Sequence, residues 1–331
     1  MKKSSLQRFH SIGYLLMITL TWLFAGCSNS DKSTGVTEIT IENKEMRLVI
    51  NSNGTSSSLI HKSTGQECLM QGVHMPLFAV TQERPYDNEI MLAYPAKEKT
   101  FFSDSVYRRG DDLIISFELI DYVATVGLNI TDSYIGFTLK KLEYHMADFG
   151  VKRKTPIDEF TLLQLPVKER DHFGEWLNVS WDENVAVNLL ATDQYAKINA
   201  HQHNGFYQFT AGAESKVRLT GVGAALITTE KENLLDRIDR MERDFDLPLG
   251  VESRRRREYK SSYYELRDVT TGNIDEHIAY AKQGGFRQMV LYYPDFAASM
   301  GHFPWRPEYP NGMADLQEIT RKIEAAGMIA G

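Results

Sequence analysis

A chain of 331 residues, 42% hydrophobic and 24% charged, has an ordinary globular composition and is long enough for two domains with cores of their own. Its formal net charge of −7 argues against the basic footprint of a nucleic-acid binder. Two cysteines, Cys27 and Cys68, do not make a disulfide scaffold, so hydrophobic burial has to hold the fold.

Lys2, Lys3 and Arg8 precede an apolar stretch from Ile12 to Ala25, too short and too close to the terminus for a typical spanning helix. This is the layout of a secretory signal peptide, assigned to residues 1–26. Leu23-Phe24-Ala25-Gly26-Cys27 is followed by the polar run Ser28 to Gly35, a flexible tether over residues 27–37. Small residues ahead of a cysteine resemble the lipobox of bacterial lipoproteins, which implies Cys27 as the lipidated residue and a membrane partner in the bacterial cell envelope. Each buried CH2 of such a chain contributes about 0.8 kcal/mol. A plain secretory signal with an incidental cysteine is the other reading. With Cys27 acylated, Cys68 has no partner in the chain.

Residues 38–228 read as all-β. Met46, Leu48 and Ile50 alternate with polar residues and run into the turn signal Asn53-Gly54. Leu113, Ile115, Phe117 and Leu119 alternate again after Gly110-Asp111-Asp112. Further runs occupy Ala124 to Ile130, Tyr134 to Leu139, Val185 to Leu189, Phe206 to Phe209, Val217 to Leu219 and Ala224 to Ile227. Short strands separated by turn residues predict an antiparallel β-sandwich. His201-Gln202-His203 lacks a third ligand at a recognisable metal-site spacing. Trp176 and Trp181, near Glu175 and Asp182, read as core packing rather than a sugar-stacking patch.

Residues 229–260 form a linker. Leu234, Ile238, Met241 and Phe245 put one apolar stripe on a helix over Glu230 to Phe245, which Pro248 stops. Arg254-Arg255-Arg256-Arg257 reads as a solvated connection rather than an anion site.

From residue 261 the pattern changes to alternating strands and helices. Ser262 to Leu266 is β-prone, Asn273 caps a helix carrying Ile274, His277, Ile278 and Ala281, and Gly284-Gly285 end it. Met289 to Tyr293 is an unbroken apolar run suited to a parallel strand covered on both faces. Leu316, Ile319, Ile323 and Ala326 mark a second helix before Met328 to Gly331. Such βαβ order predicts a parallel sheet. A complete (β/α)8 barrel takes roughly 250 residues, so residues 261–331 supply its first units only. The predicted fold class is therefore α+β and multidomain, an antiparallel β-sandwich followed by an incomplete (β/α)8 barrel.

Two stretches carry a family resemblance. Ile41 to Gly54 followed by Leu59 to Glu67 is similar to the first hairpins of the supersandwich found in galactose mutarotases. Phe303-Pro304-Trp305-Arg306-Pro307-Glu308-Tyr309-Pro310-Asn311-Gly312-Met313-Ala314-Asp315-Leu316, continuing to Gly331, resembles the segment between the second and third barrel strands of α-galactosidase-type glycoside hydrolases. That family implies an oligo- or polysaccharide partner, no cofactor and no metal. It also implies acidic residues at the end of the second barrel strand that hydrogen-bond sugar hydroxyls. The matching place here is Tyr293-Pro294-Asp295-Phe296, with one acid where the family has two. Asp295 is thus the substrate-binding candidate, and capping its own loop is its structural alternative. Tyr293 and Trp305 suit stacking on a pyranose and His302 donation to a hydroxyl, with packing as the alternative for each; Glu265 and Asp268 are weaker candidates.

The resemblance places the nucleophile after the fourth barrel strand and the acid/base after the sixth, so no catalytic residue is assigned and no hydrolysis is expected of this chain. A non-catalytic glycan-binding surface lipoprotein is the second reading. A polysaccharide lyase shares the supersandwich but pairs it with a helical toroid, against which the Met289 to Tyr293 strand argues.

Overall fold

A computed structural model describes residues 38–86, 93–145, 155–256 and 260–331. The expected signal segment, the tether with Cys27, and Arg257 lie outside these residues. Strands β1 (Glu38–Glu42), β2 (Met46–Asn51), β3 (Ser56–His61) and β4 (Gln66–Glu67) form a four-stranded antiparallel meander. They are followed by β5 (Ala79–Tyr86), β6 (Ala93–Phe102), β7 (Ser105–Arg109), β8 (Asp112–Phe117), β9 (Tyr122–Ile130) and β10 (Ile135–Tyr144). Next come β11 (Glu159–Lys168), β12 (His172–Gly174), β13 (Val179–Trp181), β14 (Ala186–Ala191), β15 (Lys197–His203), β16 (Phe206–Glu214) and β17 (Gly223–Thr229). They make an eight-stranded sheet in the order β12-β13-β14-β17-β10-β9-β8-β7 and a five-stranded sheet in the order β15-β16-β11-β5-β6, both antiparallel.

The period-2 patterning explains the layering. Met46, Leu48 and Ile50 of β2, Leu113, Ile115 and Phe117 of β8, and Phe160 and Phe209 of the five-stranded sheet all enter one core. β17 is buried along its whole length because its two faces serve two cores. Ala224 and Leu226 join the large one, while Ala225 and Ile227 join a smaller one with Tyr134 and Met241. The second face is covered by helix α1 (Leu234–Asp244), whose stripe of Leu234, Ile238, Met241 and the following Phe245 packs there as its spacing predicts. α2 (Gly250–Arg255) follows. Arg255 bonds Asp236 at 2.6 Å and Arg256 bonds Glu252 at 2.8 Å, so two of the consecutive arginines close local ion pairs at an exposed helix end.

Three sequence readings of the antiparallel sheets are corrected. Leu119 does not continue the β8 alternation: it sits in a 3-10 turn, Glu118–Ile120, 73% exposed, while the next residue, Ile120, turns inward. Val217 to Leu219 is not a strand. It begins in a turn that bonds the amides of Val217 and Arg218 back to Glu214 O, and Val217 is exposed. Trp176 is 94% exposed rather than core, because it lies on a 3-10 turn, Glu175–Leu177, at the edge of the sheet. Trp181 is half-buried and stacks on His172 with ring centres 5.1 Å apart.

Two buried titratable side chains, Cys68 and His61, have polar neighbours. Cys68 is a free, buried thiol beside the Arg170 guanidinium, and burial pushes its pKa up to about 11, so it is protonated and inert at neutral pH. His61, fully buried, meets Thr64 Oγ1 at 2.9 Å through Nδ1 and lies 3.7 Å from Glu230. Burial holds its pKa below the ordinary histidine value, outweighing the attraction of Glu230 and Glu45. The unfolded chain binds this proton more readily than the fold, so stability falls as pH drops below about 6.5. Urea denaturation from pH 7 to 5 is expected to show a steeper loss in the wild type than in His61→Gln; equal slopes would remove His61 from the account.

Beyond residue 260 the architecture changes to a parallel sheet in the order β18 (Tyr263–Leu266), β19 (Gln288–Leu291), β20 (Ile329–Ala330). α3 (Ile274–Gln283) joins the first two strands. A single helical turn α4 (Tyr293–Phe296), a loop and α5 (Met313–Ala325) join the last two. Ile274, Ile278 and Ala281 of α3 and Ile319 and Ile323 of α5 pack with Leu266 and Met289 in a core of their own. Gly327, at φ 78°, ends α5 in the left-handed conformation that glycine adopts without strain. Asn273 precedes α3 but does not cap it through its side chain: Oδ1 accepts from Thr270 N at 2.7 Å and Nδ2 donates to Asp268 O at 2.9 Å, closing the preceding loop instead. The apolar run read as a strand to Tyr293 stops at Leu291. Tyr292 is 47% exposed and starts the turn, because it has left the covered part of the sheet.

Candidate functional site

The carboxyl ends of β18 and β19 lie side by side, since Leu266 pairs with Leu291 in parallel register. Open α/β sheets and barrels place their ligands just outside this edge. β18 leads into Arg267 and Asp268, and β19 into Tyr292 and Tyr293. The two chain ends are tied together by Asp295, 4% exposed. Its Oδ1 accepts from Asp268 N at 2.9 Å and its Oδ2 from Tyr292 N at 3.1 Å. Asp268 has φ 53°, a conformation unfavourable for a residue with a side chain, and the bond to its amide helps hold it there.

After α4 the chain makes a narrow loop closed by an antiparallel bridge between Ala297 and Trp305, with Ala298 N bonding Pro304 O at 2.8 Å. Arg306 Nη1 donates to Pro294 O at 2.8 Å and stands 3.8 Å from Asp268, joining the loop to both strand ends. The indole of Trp305 packs against Phe296 at 5.9 Å and Tyr309 at 6.3 Å between ring centres. Gly312 lies beneath it, where a Cβ would come within 2.9 Å of Nε1, and its φ of 58° also favours glycine. The rest of Trp305, 38% exposed, faces solvent. Tyr309 is buried and donates to Val269 O at 2.7 Å, and burial, reinforced by Asp295, pushes its hydroxyl up to about 12.

Of the sequence candidates, Tyr293 stands edge-on to Phe303 at 5.9 Å and to Tyr292 at 5.0 Å. Trp305 is drawn in by the Ala297 bridge, and His302 is exposed on the same loop. Asp295 makes the loop-capping contacts that were its structural alternative. The weaker candidate Glu265 pairs with Arg267.

Sequence reading missed Tyr292, Arg267 and Arg306. The Arg267 guanidinium lies 5.2 Å above the Tyr292 ring, so the edge carries an arginine-backed aromatic in addition to the expected ones. The Tyr292-Tyr293 doublet after an apolar run was the available signal, and it was absorbed into the strand. The resulting surface combines half-exposed rings with planar charged groups. Chemically it can stack on an apolar ligand face and hydrogen-bond the hydroxyls at its rim.

Elsewhere, His203 stacks on Phe206 and His201 meets Asn199 Nδ2 at 3.0 Å. Among the described residues no three histidine, cysteine or acidic side chains are grouped to hold a metal. Among them, too, no helix is long and apolar enough to cross a membrane.

No family model matches the chain, and no curated protein matches it. Three solved structures illustrate what it is similar to. One is an α-N-acetylgalactosaminidase from Bifidobacterium bifidum in complex with GalNAc, at TM-score 0.42 and 7% identity over 88% of this chain and 58% of that one. Another is a GH31 family sulfoquinovosidase from E. rectale with an aza-sugar inhibitor, at TM-score 0.35 and 11% identity over 88% of this chain and 47% of that one. A polysaccharide lyase follows at TM-score 0.33 and 8% identity, over 60% of this chain and 35% of that one. The chain thus spans 58% or less of the length of these proteins.

Proposed function

We propose that the chain is a carbohydrate-active protein of glycoside hydrolase type, corresponding to the N-terminal part of such an enzyme and held at the cell envelope by a lipid on Cys27. In this reading its antiparallel sheets are the supersandwich, and β18 to β20 are the first strands of a (β/α)8 barrel. The observation that carries it is the edge beyond β18 and β19: Tyr292, Tyr293, Phe303 and Trp305 gather around strand ends that Asp295 fixes in place. Aromatic rings suit the C–H faces of a pyranose, and Arg267, Arg306, Asp268 and His302 offer the donors and acceptors its hydroxyls need.

Affinity electrophoresis in gels containing neutral polysaccharides tests this. Mobility is expected to be retarded by at least one glycan, and Trp305→Ala is expected to weaken the retention about tenfold, the loss for one stacking platform. Retention indifferent to Trp305→Ala and Tyr293→Ala would move the site elsewhere.

Glycoside hydrolysis takes two carboxyl groups flanking the bond, about 5 to 9.5 Å apart according to stereochemistry. Both oxygens of Asp295, 4% exposed, hold backbone amides, which leaves it a positioning role rather than a ligand's or a nucleophile's. Release of nitrophenol from aryl glycosides by this chain is expected to stay at the uncatalysed rate; turnover above it would require a carboxylate pair this account does not contain.

A further inference from the structure

The outward face of the five-stranded sheet carries a second depression, of about 370 Å³. Its lining follows from register. One row across the sheet reads Lys197, Gly212, Thr161, Ala79, Phe102; the next reads Asn199, Thr210, Gln164; a third pairs His201 with Gln208. The residues between them point the other way, where Ala200, Phe209, Phe160 and Val80 fill the core. Gly212 and Ala79 are short where their neighbours are long, and that difference makes the floor. Gly212 is confined to that size, since a Cβ there would come within 2.9 Å of Phe160 O.

The polar groups around the floor are set by one another. Gln164, 8% exposed, donates to Pro76 O at 2.6 Å and accepts from Gln208 Nε2 at 2.9 Å. Asn199 Nδ2 lies 3.0 Å from His201 Nε2, and Gln208 Oε1 3.3 Å from His203 Nε2. The charges in the lining, Lys197 and Glu159, lie together at one end, and Lys197 also bonds Glu214 at 2.7 Å. What remains is a field of amide, hydroxyl and imidazole groups offering donors and acceptors, with the half-exposed ring of Phe102 along one side. Anions and metal ions find no uncompensated charge there. A neutral polyhydroxyl ligand finds alternating donors and acceptors and an apolar wall.

We infer that this sheet face is a second carbohydrate site, for a neutral mono- or disaccharide, built from Asn199, His201, Gln208, Gln164 and Phe102 and separate from the edge beyond β18 and β19. The inference takes its ligand class from the function proposed above and shares none of its residues. Its test is saturation-transfer NMR and titration of the full chain with glucose, galactose, maltose and lactose, and with glucuronate as an anionic control. At least one neutral sugar is expected to bind saturably, more tightly than glucuronate, with affinity reduced about tenfold by His201→Ala or Asn199→Ala and unchanged by Trp305→Ala. His201 is exposed, so its removal leaves the sheet intact, and an unaltered thermal transition verifies this. Binding lost in Trp305→Ala but kept in His201→Ala and Asn199→Ala would overturn the second site and leave the first. Binding lost only in the sheet variants would establish the second site and leave the first to its own test with polysaccharides, while saturation transfer to no neutral sugar would overturn the second site outright.

Discussion

Replacing Phe160 with alanine is expected to cost about 3 to 5 kcal/mol, the largest loss of any single change considered for this chain. Phe160 lies on β11, fully buried, between Val80 of β5 and Ala213 of β16 in register. Its ring meets that of Phe117 on β8 edge to face, with centres 6.2 Å apart at 80°. Those two rings belong to different sheets, so removing one opens a void between layers rather than beside a loop. Strands on both sides are fixed by their ladders and cannot close such a void, which is the condition under which a cavity is most costly. A domain of ordinary stability has about 5 to 15 kcal/mol in hand, so the variant should lie close to unfolding at ambient temperature. Urea titration followed by circular dichroism measures this, with Leu119→Ala as the control. Leu119 is exposed on its turn, and its loss should shift stability by no more than about 0.5 kcal/mol. Comparable effects for the two substitutions would mean that the shared core between the sheets is wrongly placed.

The second large effect is expected at Asp295. Asp295→Ala leaves the amides of Asp268 and Tyr292 without their acceptors at a partly buried strand edge, at a cost of about 3 kcal/mol for the pair. The loss should be local, since β18, β19, α3 and α5 have their own hydrophobic cluster. Hydrogen exchange should therefore accelerate at Asp268, Tyr292 and through α4, while the antiparallel sheets exchange as before. Asp295→Asn keeps one acceptor oxygen and is expected to recover part of the protection. Uniform acceleration across the chain would contradict the local role, and unchanged exchange would show that the two amides do not depend on this carboxylate.

Much of this architecture was legible where side-chain periodicity had a single cause. Met46, Leu48 and Ile50 alternate because one face of β2 meets a core, and Leu234, Ile238, Met241 and Phe245 recur at helical spacing because one face of α1 meets β17. Reading failed where one residue answered to two demands. Leu119 fits the alternation of β8 but follows a chain that has already begun to turn, and nothing in its side chain marks that. Tyr292 and Tyr293 are apolar enough to extend β19, yet Asp295 draws the chain into a helical turn through a bond to Tyr292 N.

Part of the candidate site was legible as well. Asp295 stood out because a family resemblance places acids after the second barrel strand, and Tyr293, His302 and Trp305 because their rings and imidazole suit a sugar. Arg267 and Arg306 did not, because their proximity to Tyr292 and Asp268 arises from the pairing of two strands far apart in sequence. The sheet-face depression was invisible for a related reason. Its residues come from five strands, and Thr, Gln and Asn on alternate positions look like any solvated face until a glycine between them is seen to form a floor.

The central claim is that sugar is held at the carboxyl ends of the parallel strands. It is tested most directly by mapping backbone amide shifts of the isotopically labelled chain during titration with an oligosaccharide that it retains. Perturbations concentrated at Arg267, Asp268, Tyr292, Tyr293 and His302 to Arg306, and abolished by Trp305→Ala, are the expected result. Shifts confined to the antiparallel sheets, with this edge silent at saturation, would contradict it.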